Sequence, residues 1–498
     1  MPGRNAILAL AMLFATACAG AAGSKTPLIE VRSPHFRVVS NCTPKTARRV
    51  AQKMEDIRAV FQATFTAMPV DPATPLIVIA LRAEGDLKSL SPREWSRRGE
   101  VRRSGFFLTT PLANYVVVWI DPQDPHAYQA FYHEYAHLLI SSTSKRVPVW
   151  LDEGLAEFYS GTSIHQNEVQ LGLPNANAFR LMRGRALIPL PILFAVDQHS
   201  PYYNNKTLAA LFYAESWAIT HYLMLHDLRE STHTLTEYFN LVNNGADPVR
   251  TGQQVFGDLN GVLAQIGSGL NGLAIAFKPS QGIVRSNPAS FAVSDLAADE
   301  WQAIQAGIMI YDGRQAQGER LLHQALRTNP GLPAAVEAMA YLQWTKHNNQ
   351  AAKVLFAQAA AHAGSAYMTK YFAAALALSG PPPYANAQAI EANLKSVIQK
   401  NPSYAPAYDL LAVLYMSQEK QLPQARRLEL RAISLDPANV GYRLNEARAF
   451  LLQRDVENAQ RAANQALAIA HSPADQKKVA DFMEYLDHFK ANLPPAQP

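Results

Sequence analysis

The chain runs to 498 residues, 48% of them hydrophobic and 17% charged, an ordinary globular composition with room for about two to four domains. Its formal net charge of +5 is small for that length, and no motif interleaves aromatic with basic residues, so nucleic-acid binding is not expected. Only two cysteines are present, Cys18 and Cys42, which excludes a disulfide scaffold.

At the N-terminus, Arg4, a short apolar run over 6–16 and a set of small residues read as an export signal covering 1–22. Ala15-Thr16-Ala17-Cys18 is similar to a bacterial lipobox, whose cysteine becomes the acylated first residue. Cleavage after Ala17 or Ala21 satisfies the same small-residue rule. The expectation is an exported protein, periplasmic or anchored to the outer membrane by lipid on Cys18. No later apolar run is long enough for a transmembrane helix in the mature chain.

Residues 35–40, 76–81 and 114–121 are rich in β-branched and aromatic side chains and predict strands. Between the first two, 47–65 predicts a helix with Val50, Met54, Ile57, Val60 and Phe61 on one face. Arg93, Arg97, Arg98, Arg102 and Arg103 form a basic run, read as a solvated loop or as a patch for acidic substrates or headgroups. Asp124-Pro125 then predicts the start of a helix that continues without Gly or Pro through Ile140.

That helix carries His133-Glu134-Tyr135-Ala136-His137. Residues four apart share a helix face, so the two imidazoles can bind one zinc ion, with Glu134 near the metal as general base for a zinc-bound water. Pro148 predicts a second helix over 150–159, stopped by Gly161, on which Glu153 is a candidate third ligand.

At these residues the chain resembles the gluzincin metallopeptidases. Asp-Glu-Gly-Leu-Ala-Glu, 152–157, is similar to the peptidase MA-like branch of that group. The resemblance implies an α+β zincin-like domain over 27–290, a small sheet plus helices, with one Zn²⁺ per chain held by His133, His137 and Glu153. It implies Glu134 as the catalytic base and Glu157 as the acid that orients a metal-bound histidine. Glu157 is the alternative third ligand, and the Glu-Gly match favours Glu153. Residues 213–223 are similar to an aminopeptidase helix that begins with a tyrosine contacting the tetrahedral intermediate, which implies an oxyanion-stabilising Tyr213. An aromatic core helix built on Phe212, Trp217 and Tyr222 fits the same residues. In gluzincins the edge strand ahead of the motif helix pairs with extended substrate, which implies that role for 113–120. No segment like Gly-x-Met-Glu-Asn precedes the motif, so an endopeptidase is expected rather than an aminopeptidase.

The C-terminal part repeats. Ala340, Ala352, Phe356 and Ala359 stand at positions 8, 20, 24 and 27 of a 34-residue register beginning at Pro333. The register returns with Ala306, Leu322 and Ala325, with Leu411, Ala412, Tyr415, Ala425 and Ala432, and with Ala447, Phe450, Ala459, Ala463 and Ala466. A weaker copy over 365–402 is broken by Pro381-Pro382-Pro383. This resembles tetratricopeptide (TPR) repeats and implies an all-α TPR solenoid over 298–490, closed by a capping helix at 476–490. A Pro- and Gly-containing break over 277–287 places the boundary near 290. The expected function is a zinc-dependent peptidase acting on a peptide or protein substrate, with a substrate or protein partner on the TPR surface. The alternative is a non-catalytic envelope scaffold built on the same fold.

Overall fold

The computed structural model describes residues 27–64, 70–71, 74–90, 105–121, 127–143, 146–165, 168–269, 275–277, 286–362, 366–419, 421–470 and 472–492. The export segment with Cys18, the arginine run and the Asp124-Pro125 helix start lie outside them.

Nine strands among the described residues form two sheets: β1 (Ile29–Arg32), β2 (Arg37–Ser40), β3 (Leu76–Leu81), β4 (Gly105–Thr109), β5 (Asn114–Trp119), β6 (Ser163–His165), β7 (Glu168–Leu171), β8 (Ile275–Phe277) and β9 (Ala292–Asp295). The larger sheet has the order β4-β5-β3-β2-β1-β9, and β6-β7-β8 form a small antiparallel one. In the larger sheet β2, β3 and β5 run parallel, while β4, β1 and β9 are antiparallel to their neighbours.

Side chains alternate across a strand, so each β-branched run feeds two cores. Val38, Val78, Val116 and Val118 join the core that holds Val50, Met54 and Ile57 of helix Pro44–Thr64 and Phe131, Tyr135 and Leu139 of helix Gln129–Thr143. Val39, Ile79, Tyr115 and Val117 join the opposite core, with Leu87 and Leu90 of helix Glu84–Leu90. Burial on both faces is why 76–81 and 114–119 read as continuous apolar runs.

The strand expected to pair with substrate is not at an edge. β5 is bonded on one side to β3 and on the other to β4, so its ladder groups are already used. The outer strand on that side is β4, which the sequence reading missed: Gly-Phe-Phe-Leu-Thr is too short to show a period.

Beyond 297 the chain is a stack of helical hairpins. Ala298–Tyr311 pairs with Gln315–Thr328, Pro333–Thr345 with Asn349–Ala360, Tyr367–Ala377 with Ala387–Lys400, Ala405–Ser417 with Leu422–Leu435, and Val440–Leu452 with Val456–Ile469. The repeat positions are the seams: Ala306, Ala325, Ala340, Ala352, Phe356, Ala412, Ala425, Ala432, Ala447, Ala459, Ala463 and Ala466 are all fully buried. Helix Pro473–Ala491 closes the stack through Val479, Phe482 and Leu486.

The two parts share a core. β9 lies past the boundary expected near 290, yet it pairs along all of β1. Leu296 and then Ile304 and Ile308 of helix Ala298–Tyr311 cover the second face of the sheet. Gly307 sits against Tyr115, whose hydroxyl a Cβ would approach to 3.3 Å. Arg37 of β2 pairs with Glu30 and with Glu300, and the Arg314 guanidinium donates to the carbonyls of Ser89 and Leu90. Further along, Leu112 packs in the core of the later hairpins and Thr74 hydrogen-bonds the Tyr367 hydroxyl.

Candidate metal centre

Two helices deliver the site. Helix Gln129–Thr143 turns Phe131, Tyr132, Tyr135, Ala136, Leu138 and Leu139 into the core, which leaves His133 and His137 together on its other side. The Tyr135 hydroxyl donates to the Val70 carbonyl at 2.8 Å and ties the helix down. Helix Val149–Ser160 follows Pro148 and anchors through Trp150, which stacks on Phe194 at 4.7 Å and donates from Nε1 to the Tyr238 hydroxyl at 3.2 Å. Its crossing with helix Lys206–Glu230 is close at Gly154, where no side chain separates the backbones.

The geometry brings His133, His137 and Glu153 to one point. The two Nε2 atoms lie 3.1 Å apart, and Glu153 Oε2 lies 3.7 Å from the first and 3.4 Å from the second. A tetrahedral ion with bonds of about 2.0–2.1 Å has ligand-to-ligand edges of roughly 3.3–3.4 Å, so the trio fits zinc. The remaining ring nitrogens face acids: His137 Nδ1 is 3.0 Å from Asp152 Oδ1, and His133 Nδ1 is 3.7 Å from Glu157 Oε1. Such partners orient each imidazole and raise its basicity as a ligand. Burial opposes charge on His137, but Asp152 and Glu153 outweigh it and lift its pKa well above the usual imidazole value.

Glu157 thus stands behind His133, opposite the side where Glu153 stands. Glu134 is buried between the two histidines in sequence, with 8% of its surface exposed. Tyr213 is half-buried on the helix Lys206–Glu230, its ring 6.2 Å from that of Tyr203. The Tyr203 hydroxyl donates to Glu153 Oε1 at 3.2 Å. Neither Asp152 nor Tyr203 was assigned a role from the sequence. Asp152 was findable, since it precedes Glu153 on the same helix; Tyr203 had no local signal. Two residues after Tyr213, buried Glu215 takes the Ile188 N–H on both oxygens, at 3.0 and 2.9 Å, and burial pushes its pKa up to about 7.

Fold and site together define a chain of two joined parts, a mixed sheet carrying a His-His-Glu cluster and a helical-hairpin solenoid. A family model described as "Protein of unknown function (DUF1570)" matches residues 130–242, the span from His133 through Tyr213 and beyond. No curated protein matches the chain. Solved structures similar to part of it include repeat proteins. MamA from Desulfovibrio magneticus RS-1 is 18% identical, covering 36% of this chain and 98% of its own at a TM-score of 0.31. YrrB, a TPR protein with an unusual peptide-binding site, is 13% identical, covering 36% and 90% at 0.32. TTC0263, a TPR protein of Thermus thermophilus, is 18% identical, covering 37% and 99% at 0.29.

Proposed function

We propose that the chain is a zinc-dependent peptidase, an endopeptidase exported to the cell envelope, whose repeats hold a protein substrate or partner. The observation that carries this reading is the spacing of His133, His137 and Glu153, each edge of the triangle within a few tenths of an ångström of what a tetrahedral ion needs. Zinc held there by His133, His137 and Glu153 would supply Lewis acidity toward a carbonyl and would make water a stronger nucleophile at neutral pH. Glu134 takes a proton from the attacking water onto its carboxylate and passes one to the leaving amine nitrogen. In this reading the Tyr213 phenol donates to the developing oxyanion. An extended peptide pairs with the outer edge of β4, where backbone N–H and C=O groups fix its register without regard to sequence.

The test separates base from ligand. Glu134→Gln in the full chain should keep one zinc per chain and lose peptide hydrolysis by about 10²–10⁴-fold, because an amide cannot accept the proton. A variant that retains full activity overturns the mechanism.

A second reading, a non-catalytic envelope scaffold, has its own observation. The last hairpins and the closing helix frame a groove of ≈ 720 Å³ lined by Val413, Met416, Leu444, Leu451, Phe482 and Tyr485. It is lined by none of His133, His137 and Glu153, and an apolar floor of this kind suits a partner segment. Under this reading Glu134→Gln leaves partner binding unchanged, while Tyr485→Glu, at an exposed residue lining the groove, weakens it.

A further inference from the structure

Each histidine of the trio has a carboxylate behind it, and the third ligand has a partner of its own. Glu153 is only 5% exposed, so water does little to satisfy its carboxylate. Its two oxygens are divided: Oε2 faces both imidazoles, and Oε1 accepts the Tyr203 hydroxyl at 3.2 Å. A glutamate side chain has several rotatable bonds, and without a hold on one oxygen its carboxylate can turn both toward a cation or swing away.

Tyr203 is itself held. It sits on the one-turn helix Pro201–Asn204, capped by Ser200, whose hydroxyl accepts from the Tyr202 N–H. The Asn204 side chain donates back to the carbonyls of Gln198 and Ser200 at 2.7 and 3.1 Å. Asn205 follows and caps the helix Lys206–Glu230 by accepting from Thr207 and Leu208. The Tyr203 ring packs edge-on to Phe212 and beside Tyr213, with centroids 6.3 and 6.2 Å away. Backbone and ring are therefore both braced, and the hydroxyl has a defined place.

We propose that Tyr203 is a positioning residue for the metal centre: its phenol occupies one oxygen of Glu153, so that the carboxylate meets a divalent cation through the other oxygen alone. It does for Glu153 what Asp152 and Glu157 do for the histidines. The inference rests on the zinc reading above and adds a residue to it that acts through a ligand rather than on the substrate.

Zinc affinity of the full chain, measured by competition with a chelating indicator, tests it alongside the visible absorption of the Co²⁺-loaded protein. Tyr203→Phe removes one hydroxyl and should weaken zinc by about 10–100-fold, the usual cost of losing an outer-sphere partner, and shift the Co²⁺ bands as the carboxylate changes its mode. The neighbouring Tyr202→Phe should leave both unchanged, and Tyr203→Phe should lower the metal-free melting temperature only by what one lost hydrogen bond costs. Equal affinity and equal spectra for Tyr203→Phe and wild type overturn the inference alone. So does a fall in affinity with the Co²⁺ bands unchanged, which marks a merely structural residue. A wild-type chain that binds neither zinc nor Co²⁺ overturns the metal-centre reading and this inference with it.

Discussion

A methyl group added at Gly154 would stand 2.2 Å from Thr220 Oγ1 and 2.5 Å from the Ser216 carbonyl oxygen. Helix propensity alone favours alanine over glycine by up to about 1 kcal/mol in a helix interior. Here the clash is partly with backbone, which cannot rotate out of the way, so the steric term wins. Gly154→Ala should destabilise the protein by about 1–3 kcal/mol, the usual cost of overpacking. Because Glu153 is the adjacent residue, zinc affinity should fall as well. Thermal melts with and without zinc check both effects, and an unchanged melt would mean that the two helices separate freely.

At the scale of elements, helix Pro333–Thr345 carries a half-buried acid, Glu337. Glu337 Oε1 is sealed from solvent without a hydrogen-bond partner, and burial pushes the carboxyl up to about 8 from 4.5. It bears electrostatically on Tyr115 of β5. A folded pKa above the unfolded one means that the folded chain binds the extra proton. The stability this contributes is complete below about pH 4.5 and is lost progressively as pH rises to about 8. Glu337→Gln has no such proton to lose. Denaturant unfolding of the two proteins across pH 5–9 should show wild type losing ground to Glu337→Gln, by an amount on the order of a few kcal/mol, with the difference levelling off above pH 8. Parallel curves would place Glu337 in contact with water.

At the scale of the whole molecule, the helices that carry the His-His-Glu cluster and the first helix of the solenoid pack on opposite faces of one sheet. Ending the chain at residue 290 removes β9 and helix Ala298–Tyr311 together. That bares the apolar face of Val39, Ile79 and Val117 and leaves β1 as a free edge, two conditions that favour aggregation. A chain ending at 290 should therefore be insoluble or fail to melt cooperatively. One ending just after the helix Asn349–Ala360 keeps β9 and two hairpins and should stay soluble and bind zinc. A well-folded, zinc-binding chain of 290 residues would show that the shared core is dispensable.

Much of this was legible in the sequence because it depends on neighbours along the chain. The placement of two imidazoles on one face follows from four-residue spacing on a helix, and the strands Leu76–Leu81 and Asn114–Trp119 follow from unbroken β-branched runs. The hairpin stack follows from small residues recurring at seam positions, since only alanine-sized side chains let the helices close. What the tertiary structure decided depends on residues far apart. β4 became the edge strand and β5 an interior one through pairing partners, which a short segment does not encode alone. β9 joined the sheet by pairing with β1 at the other end of the domain, Ala292 opposite Arg32, so a stretch just past the boundary expected near 290 became part of the common core. Tyr203 meets Glu153 fifty residues away, across a helix crossing that Gly154 permits. Local physics wrote the two histidines and the repeats; only packing brought the groups that surround them.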